Sequence, residues 1–137
     1  LDIIHLLVMN GFTVLRVELE DGEESVYAEY SSFYVAGEDD NYRIHVFGYS
    51  GTAGDGISCN LYNCNNDAQF STYDKDNDNA PYNNAQRWRG AWWYNDGHRS
   101  HLNGEYGNNN HGEGINWYPF KGHTYSLTGS RMMLRRP

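Results

Sequence analysis

Asp74-Lys75-Asp76-Asn77-Asp78-Asn79 is the stretch of this chain best suited to chemistry. Carboxylates on alternate residues of a loop can converge on one hard cation, which takes roughly six to eight oxygens and accepts backbone carbonyls too. An EF-hand starts the same way but needs Gly at its sixth position and Glu at its twelfth. Counted from Asp74 those positions hold Asn79 and Ala85, so the loop is not an EF-hand. Taken alone, it is either a cation site or a solvated acidic turn. His98, His101, His111 and His123 form a second group, with a transition-metal site or an acid–base pair as the chemistry to weigh. Their spacing fits no zinc template, and no Ser or Cys nucleophile sits in a recognisable elbow. His98, near the Trp92-Trp93 pair, reads first as a hydrogen-bonded structural residue. The expectation is a protein that is not an enzyme.

Cys59 and Cys64 are the only cysteines, in the polar run CNLYNC. A small local disulfide suits a secreted protein, and two free thiols are the alternative. A zinc site needs more ligands than these two.

The elements that must position these groups are clearest in the first third. Ile3 to Met9 is an apolar run ended by Gly11, which predicts a short helix. From Val14 to Glu20, Leu15, Val17 and Leu19 alternate with Arg16, Glu18 and Glu20, the period of a half-buried strand. Asp21-Gly22 marks a turn, Ser25–Val35 reads as a second strand, and Tyr42–Tyr49 alternates again. Together they predict an antiparallel meander, with Thr124–Leu134 returning as one more strand. From Gly48 to about Gly122 no periodicity persists, yet all 4 Trp residues fall there. Disorder wants few aromatics, so the segment reads as ordered loops around an aromatic core.

At 137 residues the chain is one domain's worth, with a modest core. Aromatic residues supply 15% of it, 12 of them Tyr, which suits a loop-rich interior or a binding surface. A formal charge of −8 argues against nucleic acid as a partner. The late arginines (Arg87, Arg89, Arg99, Arg131, Arg135, Arg136) are a local basic patch or solvated surface charge. No apolar window approaches a membrane span and no signal peptide is seen; a start at Leu1 reads as a processed form or a fragment.

Motifs in register complete the reading. Tyr49-Ser50-Gly51-Thr52-Ala53-Gly54-Asp55, Phe70-Ser71-Thr72-Tyr73-Asp74 into the acidic loop, Gly90-Ala91-Trp92-Trp93-Tyr94, His98, Leu102-Asn103-Gly104, Gly114-Ile115-Asn116-Trp117 and Lys121-Gly122 follow one another. In that order they resemble the fibrinogen-related domain of fibrinogen chains, ficolins, tachylectins, angiopoietins and tenascins. The resemblance runs over nearly the whole chain and covers the later two-thirds or so of the usual domain. The N-terminal subdomain has no counterpart before Leu1.

The resemblance implies an α+β, fibrinogen C-terminal-like fold. Residues 1–50 and 123–137 would form the sheet subdomain, and residues 51–122 a loop-rich ligand-binding subdomain. It implies a Ca²⁺ site with Asp76 and Asp78 as carboxylate ligands and Ala80 and Tyr82 as carbonyl ligands, Asp74 supporting the loop. It also implies an adjacent acetyl-group pocket walled by Trp88, His98, His111 and His123. Its donors would be the N–H groups of Gly97 and His98, after a cis peptide joining Asp96 to Gly97. Most relatives carry a cysteine pair where this chain has Asn84 and Gly97; calcium then becomes the main tie between loop and pocket. The acetyl-binding lectins usually carry Tyr in place of Trp88, His111 and His123, and the two histidines are more similar to tenascins. The function implied is a secreted pattern-recognition lectin of innate immunity, binding acetylated sugars or microbial surface components, with a parent protein that is oligomeric. The alternative is a tenascin-like extracellular-matrix or receptor module that contacts proteins.

Overall fold

A computed structural model describes residues 1–137. Leu15, Val17 and Leu19 of β1 (Val14–Asp21) are buried and the residues between them are partly exposed, the outcome that alternation on a pleated strand requires. A Gly22 turn leads into β2 (Glu24–Val35), which pairs antiparallel with β1 and places Leu15 opposite Tyr30. β3 (Ile44–Gly51) pairs with the other edge of β2, and the last strand returns beside β1 with Leu15 opposite Leu134. Helix α1 (Asp2–Met9) precedes the sheet and buries Val8.

Short elements punctuate the aperiodic stretch. They are α2 (Asn84–Trp88), the antiparallel pair β4 (Ser100–His101) and β5 (Asn116–Trp117), and the single turn α3 (Tyr118–Lys121). The returning strand is β6 (Gly129–Arg135), which gives the larger sheet the order β3-β2-β1-β6. The meander with its returning strand was legible in the sequence; the small β4–β5 pair was not.

Between these elements side-chain amides replace a backbone ladder. Buried Asn65 donates to the Trp93 carbonyl at 2.7 Å, and its Oδ1 accepts from the backbone N–H of Ser100 at 3.1 Å and its hydroxyl at 3.0 Å. Buried Asn116 donates to the Tyr125 carbonyl at 3.0 Å. Such bonds satisfy buried polar groups without any regular repeat, so they leave no periodic trace.

Sheet and loops share one core. Leu15, Val17, Tyr30 and Phe33 of the sheet belong to the same buried cluster as Trp92, Trp93, Tyr94 and Trp117 of the loops. Two indoles also anchor across the boundary: Trp93 donates to the Tyr42 carbonyl at 2.7 Å and Trp117 to the Gly54 carbonyl at 2.9 Å. Gly56 lies against Trp117, where a Cβ would sit 2.6 Å from the ring, so only glycine admits this packing. No helix is long and apolar enough to cross a membrane.

Candidate functional site

The acidic loop is shaped by its own side chains. Asn77 is held by Ser71 Oγ at 2.9 Å on its N–H, and its amide donates to the Phe70 carbonyl at 2.9 Å. The Asp78 N–H donates to Asp76 Oδ1 at 3.2 Å, and Asp78 Oδ1 accepts from the Ala80 N–H at 2.9 Å. These bonds fold residues 76–80 tightly and bring the two carboxyl groups together. Burial, together with the neighbouring Asp78, holds the Asp76 carboxyl above its ordinary range. Asp74 turns away and accepts from the Thr72 hydroxyl at 2.8 Å. The carbonyls of Ala80 and Tyr82 accept no hydrogen bond from the protein. No set of three or more His, Cys, Asp or Glu side chains is grouped to hold a metal. What the loop offers is two carboxylates and two free carbonyls, all hard oxygen donors. That set suits Ca²⁺ with water completing the shell, and does not suit a transition metal.

Asn84 joins this loop to the next element. Its backbone N–H donates to Asp78 Oδ2 at 3.0 Å, and its amide donates to the Asn95 carbonyl at 3.0 Å. Its Oδ1 accepts from the Trp88 indole at 2.9 Å, one turn along α2, whose N-cap is Asn83. A parallel chain runs from Asn79 to Asn95 Oδ1 at 2.8 Å and from Asn95 to the Cys64 carbonyl at 3.2 Å. Cys59 and Cys64 are joined by a disulfide, with their Cα atoms 5.6 Å apart. Asn84 and Asn95 therefore tie the loop to the cleft wall from the protein itself, a link that stands beside any that calcium would add.

A cleft of about 420 Å³ adjoins the loop, and Trp88, Gly97, His98, His111 and His123 all line it, with Tyr82 at the loop end. The rings meet edge to face or tilted: Trp88 lies 5.5 Å from His98 and 5.8 Å from His111, and His123 lies 5.1 Å from His98 and 5.2 Å from His111. His98 also stacks on His101 at 4.3 Å. Carbonyls only accept, so the partners fix the tautomers. His98 Nε2–H donates to Gly112 at 2.8 Å, His123 Nε2–H to the His98 carbonyl at 2.8 Å, and His101 Nδ1–H to Gly114 at 3.2 Å. His101 Nε2 then accepts from the Tyr94 hydroxyl at 2.6 Å. Burial pushes His98 well below the usual imidazole range, lowers His123, and takes His101 down to about 4. These three rings are neutral at pH near 7 and spend their N–H donors on the backbone; His98 and His123 wall the cleft, and His101 lies buried against His98.

One expectation is overturned by the backbone. Every peptide bond is trans, including Asp96–Gly97. A non-proline cis bond costs roughly 3 kcal/mol, and Gly97 turns the chain without it. Its φ of +87° is open to a residue with no Cβ, and the Asn95 N–H closes the turn on the Gly97 carbonyl at 3.2 Å. The N–H groups of Gly97 and His98 find no acceptor in the protein.

The cleft has further walls that sequence reasoning missed. Leu61, Tyr62 and Asn63 come from the disulfide loop, and Asp96, Arg99 and Tyr118 complete the rim. Tyr62 between two cysteines was a usable signal. Arg99 and Tyr118 were not, because only the fold brings them together, through a Tyr118 N–H bond to the Arg99 carbonyl at 2.9 Å.

The family described as fibrinogen beta and gamma chains, C-terminal globular domain, matches residues 1–137. The chain belongs to that family. As a fibrinogen-like chain it is similar to tenascin of Gallus gallus, with 45% identity over 135 residues, 98% of this chain and 7% of that protein. It is also similar to tenascin-R of Mus musculus, with 44% identity over 98% of this chain and 10% of that protein. Among solved structures, the fibrinogen-like globe domain of human ANGPTL6 superposes with a TM-score of 0.89 at 36% identity, covering 98% of this chain and 61% of that one. A lamprey fibrin D-dimer complexed with the peptide ligand Gly-His-Arg-Pro-amide gives a TM-score of 0.85 at 32% identity, covering 96% of this chain and 47% of that one. The fibrinogen-like chain therefore spans a small part of its tenascin relatives. Families of this fold are non-enzymatic recognition modules, and its relatives make it an extracellular-matrix type of module, secreted as they are.

Proposed function

We propose that this fibrinogen-like chain recognises acetylated sugars, including those of microbial surfaces in innate defence, in the cleft between Trp88 and His123. The observation that carries the reading is the pair of N–H groups at Gly97 and His98, which have no protein acceptor and belong to residues lining a cleft with aromatic walls. An acetyl group needs both features: donors for its carbonyl oxygen and apolar surface for its methyl. The walls would be Trp88, His98, His111 and His123.

Asp76 and Asp78, with the carbonyls of Ala80 and Tyr82, would hold Ca²⁺. The ion would supply positive charge that lets the two adjacent carboxylates stay ionised together. Tyr82 lines the cleft as well as following the acidic loop, so ordering the loop also orders the cleft. The ligand needs no contact with the ion. A single small sugar gives weak affinity, and an oligomeric parent protein would raise it through multivalency. A glycan array read with and without chelator tests this. Failure of the folded, calcium-loaded protein to bind any N-acetylated sugar would sink the reading.

A second reading, a protein-binding matrix or receptor module, is favoured by the 45% identity to tenascin. Exposed Tyr62, Tyr82 and Tyr118 around the cleft suit a protein partner. Capture of an extracellular protein that Tyr62→Ala abolishes, with no sugar binding, would decide for it.

A further inference from the structure

We propose that the cleft selects an acetylated sugar that also carries an acidic group, a carboxylate or a sulfate, and that Arg99 is the residue that receives it. This rests on the sugar-binding reading above and adds the class of sugar.

Arg99 lines the cleft, and its guanidinium lies over the Tyr118 ring at 4.6 Å. Tyr118 in turn packs against His123 at 4.7 Å, so the stack Arg99–Tyr118–His123 forms one end of the cleft. No carboxylate lies within ion-pair distance of Arg99. Arg87 and Arg136 are the other arginines without an acidic partner. Arg16, Arg43, Arg89, Arg131 and Arg135 are each paired with Asp or Glu. Arg87 repeats the pattern beside the cleft, unpaired and lying over the ring of Trp88 at 4.5 Å.

Stacking on an aromatic face holds a guanidinium in one plane while leaving its N–H fork free. That fork matches a carboxylate or sulfate with two parallel hydrogen bonds. Another lining residue carries the opposite sign. Asp96 lines the cleft, as Tyr82 does. An acidic sugar is thereby oriented, its acid toward Arg99 and away from Asp96, and the reverse pose meets like charge. Arg99 immediately follows His98, so the ligand's acetyl group at the Gly97 and His98 N–H groups sits beside the residue that takes its acid.

The test is calorimetry of the calcium-loaded chain with N-acetylglucosamine, N-acetylmuramic acid and N-acetylglucosamine 6-sulfate. At least one acidic probe should bind about tenfold tighter than the uncharged sugar, and the gain should shrink as salt is raised. Whichever acidic probe gains tells carboxylate from sulfate. Arg99→Gln should erase the gain and keep the uncharged sugar's affinity, whereas Arg99→Lys should keep part of it. Equal binding of all three sugars overturns the proposal and leaves the acetyl reading standing, as does a gain that survives in Arg99→Gln. Binding of none of them, with an unchanged melting temperature, overturns both.

Discussion

The Trp88 indole donates to Asn84 Oδ1 at 2.9 Å, while the Asn84 N–H donates to Asp78 at 3.0 Å. One fully buried amide residue therefore grips the acidic loop and the aromatic wall of the cleft at once. A third bond, from its amide to the Asn95 carbonyl, carries the tie further.

Asn84→Ala should lower unfolding free energy by about 2–3 kcal/mol, because it leaves the Trp88 donor and the Asn95 carbonyl without their partner in the interior. Urea denaturation measures this directly. The same variant should bind calcium more weakly, since Asp78 is held by the backbone of that segment. Wild-type stability would show that the amide is not the tie.

Calcium should raise the melting temperature of the chain through mass action, by about 2.7 kcal/mol at a hundredfold excess over Kd. Asp76→Ala should remove that response, and Asp74→Ala should keep most of it, because Asp74 faces Thr72. Scanning calorimetry with and without chelator separates the two variants. An undiminished shift in Asp76→Ala would show that the loop is not the site.

Acid should destabilise the fold across a defined window. His98 and His101 are held neutral by burial, His101 with a pKa of about 4 against an ordinary 6.5. The unfolded chain binds more protons than the folded one between those values. Stability is therefore fully present above about pH 6.5 and is lost as pH falls toward 4. For His101 alone the loss approaches about 3 kcal/mol. Chemical denaturation at a series of pH values checks it, with His101→Phe expected to flatten part of the slope. A profile level from pH about 7 to about 4 would refute the assignment.

Gly112→Ala should damage the cleft selectively. Its φ is +75°, and a Cβ there would lie 2.5 Å from the Trp88 ring. The left-handed backbone costs roughly 1–2 kcal/mol for a residue with a side chain. The displaced Trp88, and a disturbed Gly112 carbonyl under His98, should abolish sugar binding before the fold is lost. Binding by microarray beside a melting curve gives the comparison, and full binding in a correctly folded variant would contradict it.

Two kinds of information in the sequence account for what was legible. Leu15, Val17 and Leu19 announce a strand because burial on a pleated sheet repeats every second residue, and the alternating Asp76 and Asp78 announce a loop whose carboxyl groups can fold together, as the Asp78 N–H bond to Asp76 does. Asn84, Asn95 and Asn65 were illegible for the opposite reason. Each amide satisfies one particular partner, such as the Trp93 carbonyl for Asn65, and neither spacing nor hydropathy encodes the pairing. Arg99 was read as one of a late run of arginines. Its meaning lies in Tyr118 beneath it and in the absence of an acid beside it, both products of tertiary structure. The cis bond expected at Gly97 came from resemblance, and the trans backbone turns the same corner with a positive φ.

Trp93 and Trp117, whose indoles bond to the carbonyls of Tyr42 and Gly54, should keep the loops from melting ahead of the sheet. Amides such as that of Ser100, deep in the loops, should exchange with solvent only through the same global opening that frees β1 and β2. Calorimetric and van't Hoff enthalpies should then agree, as they do for a single cooperative unit. A region with little regular secondary structure would be as slow to open as the strands beside it, and the cleft would meet its ligand already shaped.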